Sequence, residues 1–276
     1  MQHECASLHS QSGSVFYQSW IPSEEPAAII LLIHGLAEHS SRYADFAAYL
    51  VAQGVAVFAL DLPGHGQSYG DKAFVHSFDE HFVAIELLRL TAREKFPGYK
   101  PFLFGHSMGG LLATAAILKQ QTDFSGCLLS GAALQSSKQP SAIQLLLVKL
   151  IAYLFPKFGV LQLDANEVSR DSAVVKAYIN DPLVYGGKVN ARCVVEMFST
   201  MQWVTARQAA ISCPLLVLHG AADAMTAVAG SQRLYQAACS TDKQLKIYSD
   251  LFHEILNEPQ RQQVYNDIAQ WLRKYL

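Results

Sequence analysis

A mostly parallel sheet wrapped by helices, an α/β architecture, is the fold class that this 276-residue sequence predicts. Three observations predict it. Apolar runs of strand length alternate along the chain with segments whose apolar residues recur at three-and-four spacing. One such run passes straight into a helical pattern through Gly105-His106-Ser107-Met108-Gly109-Gly110, a corner tight enough to need glycine on both flanks. A single long stretch, from about Ala133 to Met201, breaks the alternation and turns to leucine-rich helix with scattered Pro and Gly.

Taken in chain order, the first strands are Val15–Trp20, Ala28–Ile33 and Val55–Leu60, each apolar over strand length. Tyr43–Gln53 and Phe78–Phe96 carry helical periodicity around the third of them. Pro101 to Phe104 leads into the glycine corner as a strand at Phe102–Phe104, and Met108–Gln120 follows as helix. Gly126–Ser130 is the next strand. Past the leucine-rich stretch come the strand Leu215–His219, the helix Ser231–Ala238, the strand Gln244–Tyr248 and a last helix, Gln260–Lys274.

A structureless loop the length of Ala133 to Met201 is improbable inside a compact domain. The stretch therefore predicts a helical cap of residues 134–201, inserted into a core made of residues 1–133 and 202–276. Its most apolar part, Ile143 to Phe155, is too apolar around its circumference for a simple amphipathic surface helix. Such a helix more often packs as plain core. The other option is a lid that turns one side to lipid or substrate.

Hydrophobic residues make up 51% of the chain and charged ones 16%, which excludes intrinsic disorder and points to apolar surface somewhere. Lys and Arg number 21 against 23 Asp and Glu, so no basic field draws in nucleic acid. The odd set Cys5, Cys127, Cys193, Cys213 and Cys239 has no C-x-x-C spacing and reads as buried thiols in a reducing compartment. The first ten residues lack an apolar h-region, and the Ala142–Phe155 stretch, interrupted by Gln144 and Lys149, falls short of the ~20 residues that span a bilayer. A cytoplasmic protein is the default expectation.

The chemistry centres on Ser107. In G-x-S-x-G between strand and helix, a strained backbone pushes the serine hydroxyl into a cleft, within reach of a base and backbone donors. As an ordinary helix N-cap the same serine would do no more than satisfy one amide. A serine nucleophile needs a base, and the base an acid, in the chain order Ser, Asp or Glu, His at late strand ends. Asp223 follows the strand Leu215–His219 and His253 follows Gln244–Tyr248, and these are the candidate acid and base. Asp250 is a rival acid, but only three residues separate it from His253. His34, His39, His65, His106 and His219 are rival histidines, and Asp61 lies before the serine, in a Pro- and Gly-rich turn. The run His253-Glu254-Ile255-Leu256-Asn257 brushes against the zinc motif H-E-x-x-H, but Asn257 stands where the second ligand belongs, so no metal is expected. Candidate oxyanion donors are the amides of Met108, after the serine, and Leu36, after the turn glycine Gly35.

These motifs together resemble the monoacylglycerol lipase family of the α/β-hydrolases. The resemblance rests on His34-Gly35-Leu36-Ala37-Glu38-His39-Ser40-Ser41-Arg42-Tyr43, on Gly64-His65-Gly66-Gln67-Ser68 and on the elbow. It extends through Ser169-Arg170-Asp171, Asn180-Asp181-Pro182-Leu183 and His253-Glu254-Ile255-Leu256-Asn257-Glu258. It implies an α/β-hydrolase fold, a mostly parallel eight-stranded sheet with flanking helices and an inserted helical cap. It also implies hydrolysis of a monoacylglycerol to fatty acid and glycerol without metal or organic cofactor. Ser107, Asp223 and His253 map onto the triad and Leu36 and Met108 onto the oxyanion hole. Glu38, Arg42 and the cap residue Tyr178 map onto the polar end that receives glycerol. Leu36 departs from the small residue often found beside that glycine, which narrows the space there. The partners implied are a lipid ester and, through the cap, transient contact with a membrane. Two alternatives stay open: a lysophospholipase or short aryl esterase with the same triad, and a non-catalytic lipid-binding protein on a hydrolase fold. Dehalogenases and epoxide hydrolases would need an acid where Ser107 stands.

Overall fold

The structure, a computed structural model, describes residues 1–276. Eight strands form one sheet in the order β1-β2-β4-β3-β5-β6-β9-β10. They are β1 (Gln2–His9), β2 (Ser14–Ile21), β3 (Ala28–Ile33), β4 (Val55–Leu60), β5 (Phe102–His106), β6 (Gly126–Ser130), β9 (Leu215–Gly220) and β10 (Lys243–Tyr248). The first two strands run antiparallel to their neighbours, and every pairing from β4 to β10 is parallel. The mostly parallel, eight-stranded sheet is as expected.

The strand sequences explain why both faces are covered. In β3, Ile29, Leu31 and Ile33 belong to one buried cluster, while Ile30 and Leu32 belong to the other. Period-two side-chain alternation thus feeds two cores from one apolar run. The first core packs beneath α2 (Asp79–Lys95) and α3 (Met108–Gln120), and the second beneath α1 (Ala44–Ala52) and α8 (Arg261–Leu272). Helix α7 (Val228–Ala237) lies between β9 and β10.

Three strands lie outside the predicted set. β1 is missing from it because QHECASLH is polar and mostly exposed. Its place comes from the antiparallel ladder with β2, Gln2 opposite Ile21 through His9 opposite Ser14. Within the expected strand-free stretch, β7 (Gly159–Leu161) and β8 (Val189–Asn190) form a two-stranded ribbon.

Three helices fill the rest of that stretch, α4 (Ala142–Leu154), α5 (Ser172–Asn180) and α6 (Ala191–Thr205). Each starts at a side-chain cap. Ser141 and Gln144 form a reciprocal capping box, Asp171 accepts from the Ala173 amide, and Asn190 accepts from the Cys193 amide. The expectation that the apolar α4 packs as core is overturned. Only Ala152 of this helix is buried, while Ile143 is 72%, Leu146 68% and Tyr153 85% exposed. α4 touches α6 along one narrow side and turns the rest outward. The thiol expectation is corrected in part: Cys127 and Cys193 are buried, but Cys5 and Cys239 are exposed. No helix is long and apolar enough to cross a membrane.

Candidate active site

The elbow forms because three glycines allow strand and helix to touch. A Cβ on Gly105 would collide with the Gly109 carbonyl, one on Gly109 with the Ile33 carbonyl, and one on Gly110 with Ala132. Ser107 between them has φ +52°, a left-handed conformation that non-glycine residues adopt at a cost of about 1–3 kcal/mol. Its backbone is held there from both sides. The Ser107 amide donates to the Ser130 carbonyl at 3.0 Å, and the Ser107 carbonyl accepts from Ala133 at 2.9 Å. The hydroxyl is left facing a cavity.

Asp223 and His253 meet at the ends of β9 and β10. The His253 Nδ1 lies 2.7 Å from Asp223 Oδ2. A carboxylate only accepts, so the proton sits on Nδ1 and leaves Nε2 as the basic nitrogen. The carboxylate is itself fixed. Its Oδ1 accepts from the Met225 and Thr226 amides at 2.8 and 2.9 Å, and its Oδ2 from the Thr226 hydroxyl at 2.8 Å. Burial works to raise the Asp223 carboxyl, but His253 and His219 outweigh it and hold it far below the usual carboxylate range. Burial alone would depress His253, yet facing Asp223 leaves it raised. His253 Nε2 and Ser107 Oγ have no protein hydrogen-bond partner; both residues open on the same cavity.

The rivals fall elsewhere. Asp250 is exposed. Asp61 is buried as a loop anchor, accepting from the Ser40 amide and hydroxyl and from the Gln67 amide. His219 backs onto Asp223 at 3.2 Å, and His39 reaches Asp181 at 2.9 Å. The His106 ring lies tilted against the His253 ring, centroids 4.7 Å apart, with its Nδ1 at the Ser130 carbonyl.

The loop after β3 is equally fixed. The Leu62 amide donates to His34 Nε2 at 2.8 Å, so the ring proton is on Nδ1 and goes to the Gly35 carbonyl at 2.7 Å. The Gly35 amide donates to Glu38 Oε1 at 2.6 Å. With both polar groups of Gly35 held, the chain turns through Leu36 and Ala37, whose φ is +68°. The Leu36 amide donates to no protein acceptor. Met108 begins α3, so its amide has no partner within the helix.

The cavity encloses about 100 Å³ and has two unlike ends. Glu38, Tyr178 and Glu254 supply the polar one, and Leu163, Val194, Met197, Phe198 and Met201 are among the apolar residues of the other. An outer groove of about 700 Å³ adjoins it and reaches Leu145, Leu147 and Val148 of α4, with Ser136, Leu161 and Phe198 among the residues common to both.

The family model "Serine aminopeptidase, S33" matches residues 24–260. The monoacylglycerol lipase of Mycolicibacterium smegmatis is 35% identical over 274 residues, 98% of each chain. The chain belongs to the monoacylglycerol lipase family. Human monoglyceride lipase is 31% identical over 94% of this chain and 86% of its own. The crystal structure of Paleococcus ferrophilus monoacylglycerol lipase has a TM-score of 0.86 and 30% identity, covering 95% of this chain and 99% of that one. Membership of this lipase family makes the chain a serine ester hydrolase on the α/β-hydrolase fold.

Of the residues that the family resemblance mapped onto the lipase's polar end, Glu38 and Tyr178 line the cavity. Arg42 stands behind its wall, bonded to Glu38 and Glu254, with its guanidinium 4.7 Å from the Tyr178 ring. Glu254 carries no role in the sequence reading beyond its place in the incomplete zinc motif and in the family segment His253–Glu258. Its neighbour His253 was the available signal, since a residue next to the base shares its loop.

Proposed function

We propose that the chain hydrolyses monoacylglycerols to fatty acid and glycerol through an acyl-enzyme on Ser107, beneath a cap of residues 134–201. His253 Nε2 takes the proton of the Ser107 hydroxyl as Oγ attacks the ester carbonyl, and Asp223 steadies the imidazolium. The Leu36 and Met108 amides receive the oxyanion, each worth about 10²–10³ in rate. Collapse of the tetrahedral intermediate breaks the ester C–O bond, and His253 returns its proton to the leaving glycerol oxygen. Water deprotonated by the same nitrogen then releases the fatty acid.

The observation that carries this reading is the Nδ1–Asp223 bond of a histidine sharing a two-ended cavity with an elbow serine. An acyl tail suits the apolar end, where each buried CH₂ contributes about 0.8 kcal/mol. Glycerol hydroxyls suit the polar end at Glu38 and Tyr178, which Arg42 backs from behind the wall. The exposed apolar face of α4 adjoins the outer groove and serves as transient membrane contact, delivering lipid esters to its mouth.

The test is Ser107→Ala, expected to lower monoacylglycerol turnover by about 10⁴-fold or more with an unchanged melting temperature. Retained turnover rejects Ser107 as nucleophile. Assay of one purified sample on monoacylglycerol, lysophospholipid and aryl esters of equal acyl length decides the substrate class. Faster lysophospholipid or aryl ester cleavage rejects the monoacylglycerol assignment, and absent labelling by a fluorophosphonate probe rejects the enzyme mechanism.

A further inference from the structure

Arg42 is shared between two buried carboxylates that belong to different parts of the site. Its Nη1 donates to Glu38 Oε2 at 2.8 Å and to Glu254 Oε1 at 2.6 Å, and its Nη2 donates to Glu254 Oε2 at 2.7 Å. Glu38 accepts from the Gly35 amide, so it belongs to the turn that presents the Leu36 amide. Glu254 is the residue after His253, and its own amide donates to the Val168 carbonyl of the helical stretch at 2.8 Å. The Tyr178 ring of α5 covers the guanidinium. A single side chain thus joins the β3 turn, the loop that carries His253 and the segment lying above them. All three ionic side chains are about nine-tenths buried or more.

We propose that the Arg42–Glu254 pair is a positioning clamp that fixes the His253 ring in register with the Leu36 oxyanion donor and supplies negative charge beside the imidazole. The proposal rests on His253 acting as the base.

The geometry fits this role better than plain scaffolding. A planar guanidinium holding one carboxylate through two parallel bonds sets direction as well as distance. Glu254 has almost no freedom left, because Asn257 Nδ2 also donates to its Oε2 at 2.8 Å. The charge count matters too. Two carboxylates against one guanidinium leave one net negative charge beside His253. The charged and titratable groups around His253 are Asp223 from the β9 end, Glu254 on its own loop, Glu38 with Arg42 from the β3 turn, and His106 at the end of β5. His219 lies behind Asp223, and Tyr178 comes from above. Asp223, Glu254 and Glu38 all favour the imidazolium that forms during acyl transfer.

Glu254→Gln tests the charge and Arg42→Lys the geometry. Glu254→Gln keeps the side-chain shape and leaves Arg42 balanced by Glu38, so no buried ion is orphaned. Its expected effects are a fall in kcat of about 10²-fold, the size of loss that slight misplacement of a catalytic group produces, with KM within about twofold. The acidic limb of the kcat/KM profile moves to lower pH, because the imidazolium has lost a favourable neighbour. Arg42→Lys keeps the charge and loses the fork, so kcat falls while the acidic limb stays in place. The rate of fluorophosphonate labelling slows in both variants, a readout that does not depend on which ester is the substrate. Labelling that is absent in the unaltered protein overturns the triad and the clamp with it. Labelling and acidic limb unchanged in Glu254→Gln overturn the clamp alone. A loss confined to KM also overturns it. Should Glu254→Gln fail to fold, Arg42→Lys decides, and unchanged kcat there rejects the proposal.

Discussion

Helices α3 and α4 are both 13 residues long and both rich in Leu, Ile and Ala, yet they occupy opposite environments. Ten residues of α3, from Met108 to Ile117, are buried; α4 buries Ala152 alone. The difference teaches that apolar content fixes how much a helix gains from leaving water, and not where it finds cover. α3 runs directly out of a central strand through an elbow of glycines and cannot avoid the sheet. α4 lies in the inserted stretch, packs chiefly against α6 and touches the core cluster through Val148. What covers the α4 face is therefore a property of the surroundings of the molecule.

The largest effect should separate the two helices by what they bind. Replacing Leu146, Leu150 and Tyr153 together by Ser is expected to weaken association with phosphatidylcholine vesicles by about 10³-fold, or about 4 kcal/mol, since exposed apolar side chains gain about 1.5–3 kcal/mol each on full burial. Hydrolysis of a water-soluble short-chain ester should be unchanged. Co-sedimentation and a soluble ester assay, run on the same sample, check both. Undiminished vesicle binding would remove α4 from the membrane contact.

Stability should separate them next, in the opposite sense. Leu112 in α3 is fully buried, so Leu112→Ala is expected to cost about 3 kcal/mol in the transfer and cavity terms. Leu146→Ala in α4, at 68% exposure, should stay within about 0.5 kcal/mol. Urea titration of the two variants measures both. Equal costs would mean that α4 is covered in solution.

Much of this was legible in the sequence, for physical reasons that also mark where legibility stops. β3, β4, β6 and β9 were readable because strands buried on both faces must be apolar at nearly every position. The elbow was readable because only glycine fits where a Cβ would strike a carbonyl. The order of Ser107, Asp223 and His253 pointed to two strand ends that the fold does bring side by side. β1 was not readable, because an exposed edge strand is held by its ladder to β2 and needs no apolar pattern. The exposure of α4 was not readable, since periodicity reports hydrophobicity and not neighbours. Nor was the bonding of Arg42 to Glu254, whose numbers are 212 apart: a charged residue at each position is compatible with many partners until the backbone chooses one.

The smallest effect concerns protons, and it belongs to the buried side of the comparison. His34, His65 and His81 line up beneath the β3 turn, with ring centroids 5.3 and 6.2 Å apart along the series. Burial depresses all three, His65 to about 3 and His81 well below the ordinary value. His81 is the extreme case, since neither ring nitrogen has a partner and it packs against Phe78 at 5.0 Å. A histidine whose folded pKa is lowered stays neutral in the native state while the unfolded chain takes up a proton below about 6.5. The unfolded state then binds more protons, so stability falls as pH drops below 6.5 and continues falling down to the folded pKa. Each such histidine contributes a slope of about 1.4 kcal/mol per pH unit, and His253, whose pKa is raised, works in the opposite direction. His81→Phe, which replaces an unpartnered polar ring by an apolar one, should remove one such slope. Urea unfolding of the two proteins between pH 6.5 and 4.5 measures it, and parallel stability curves would show that His81 is protonated or hydrated in the folded state.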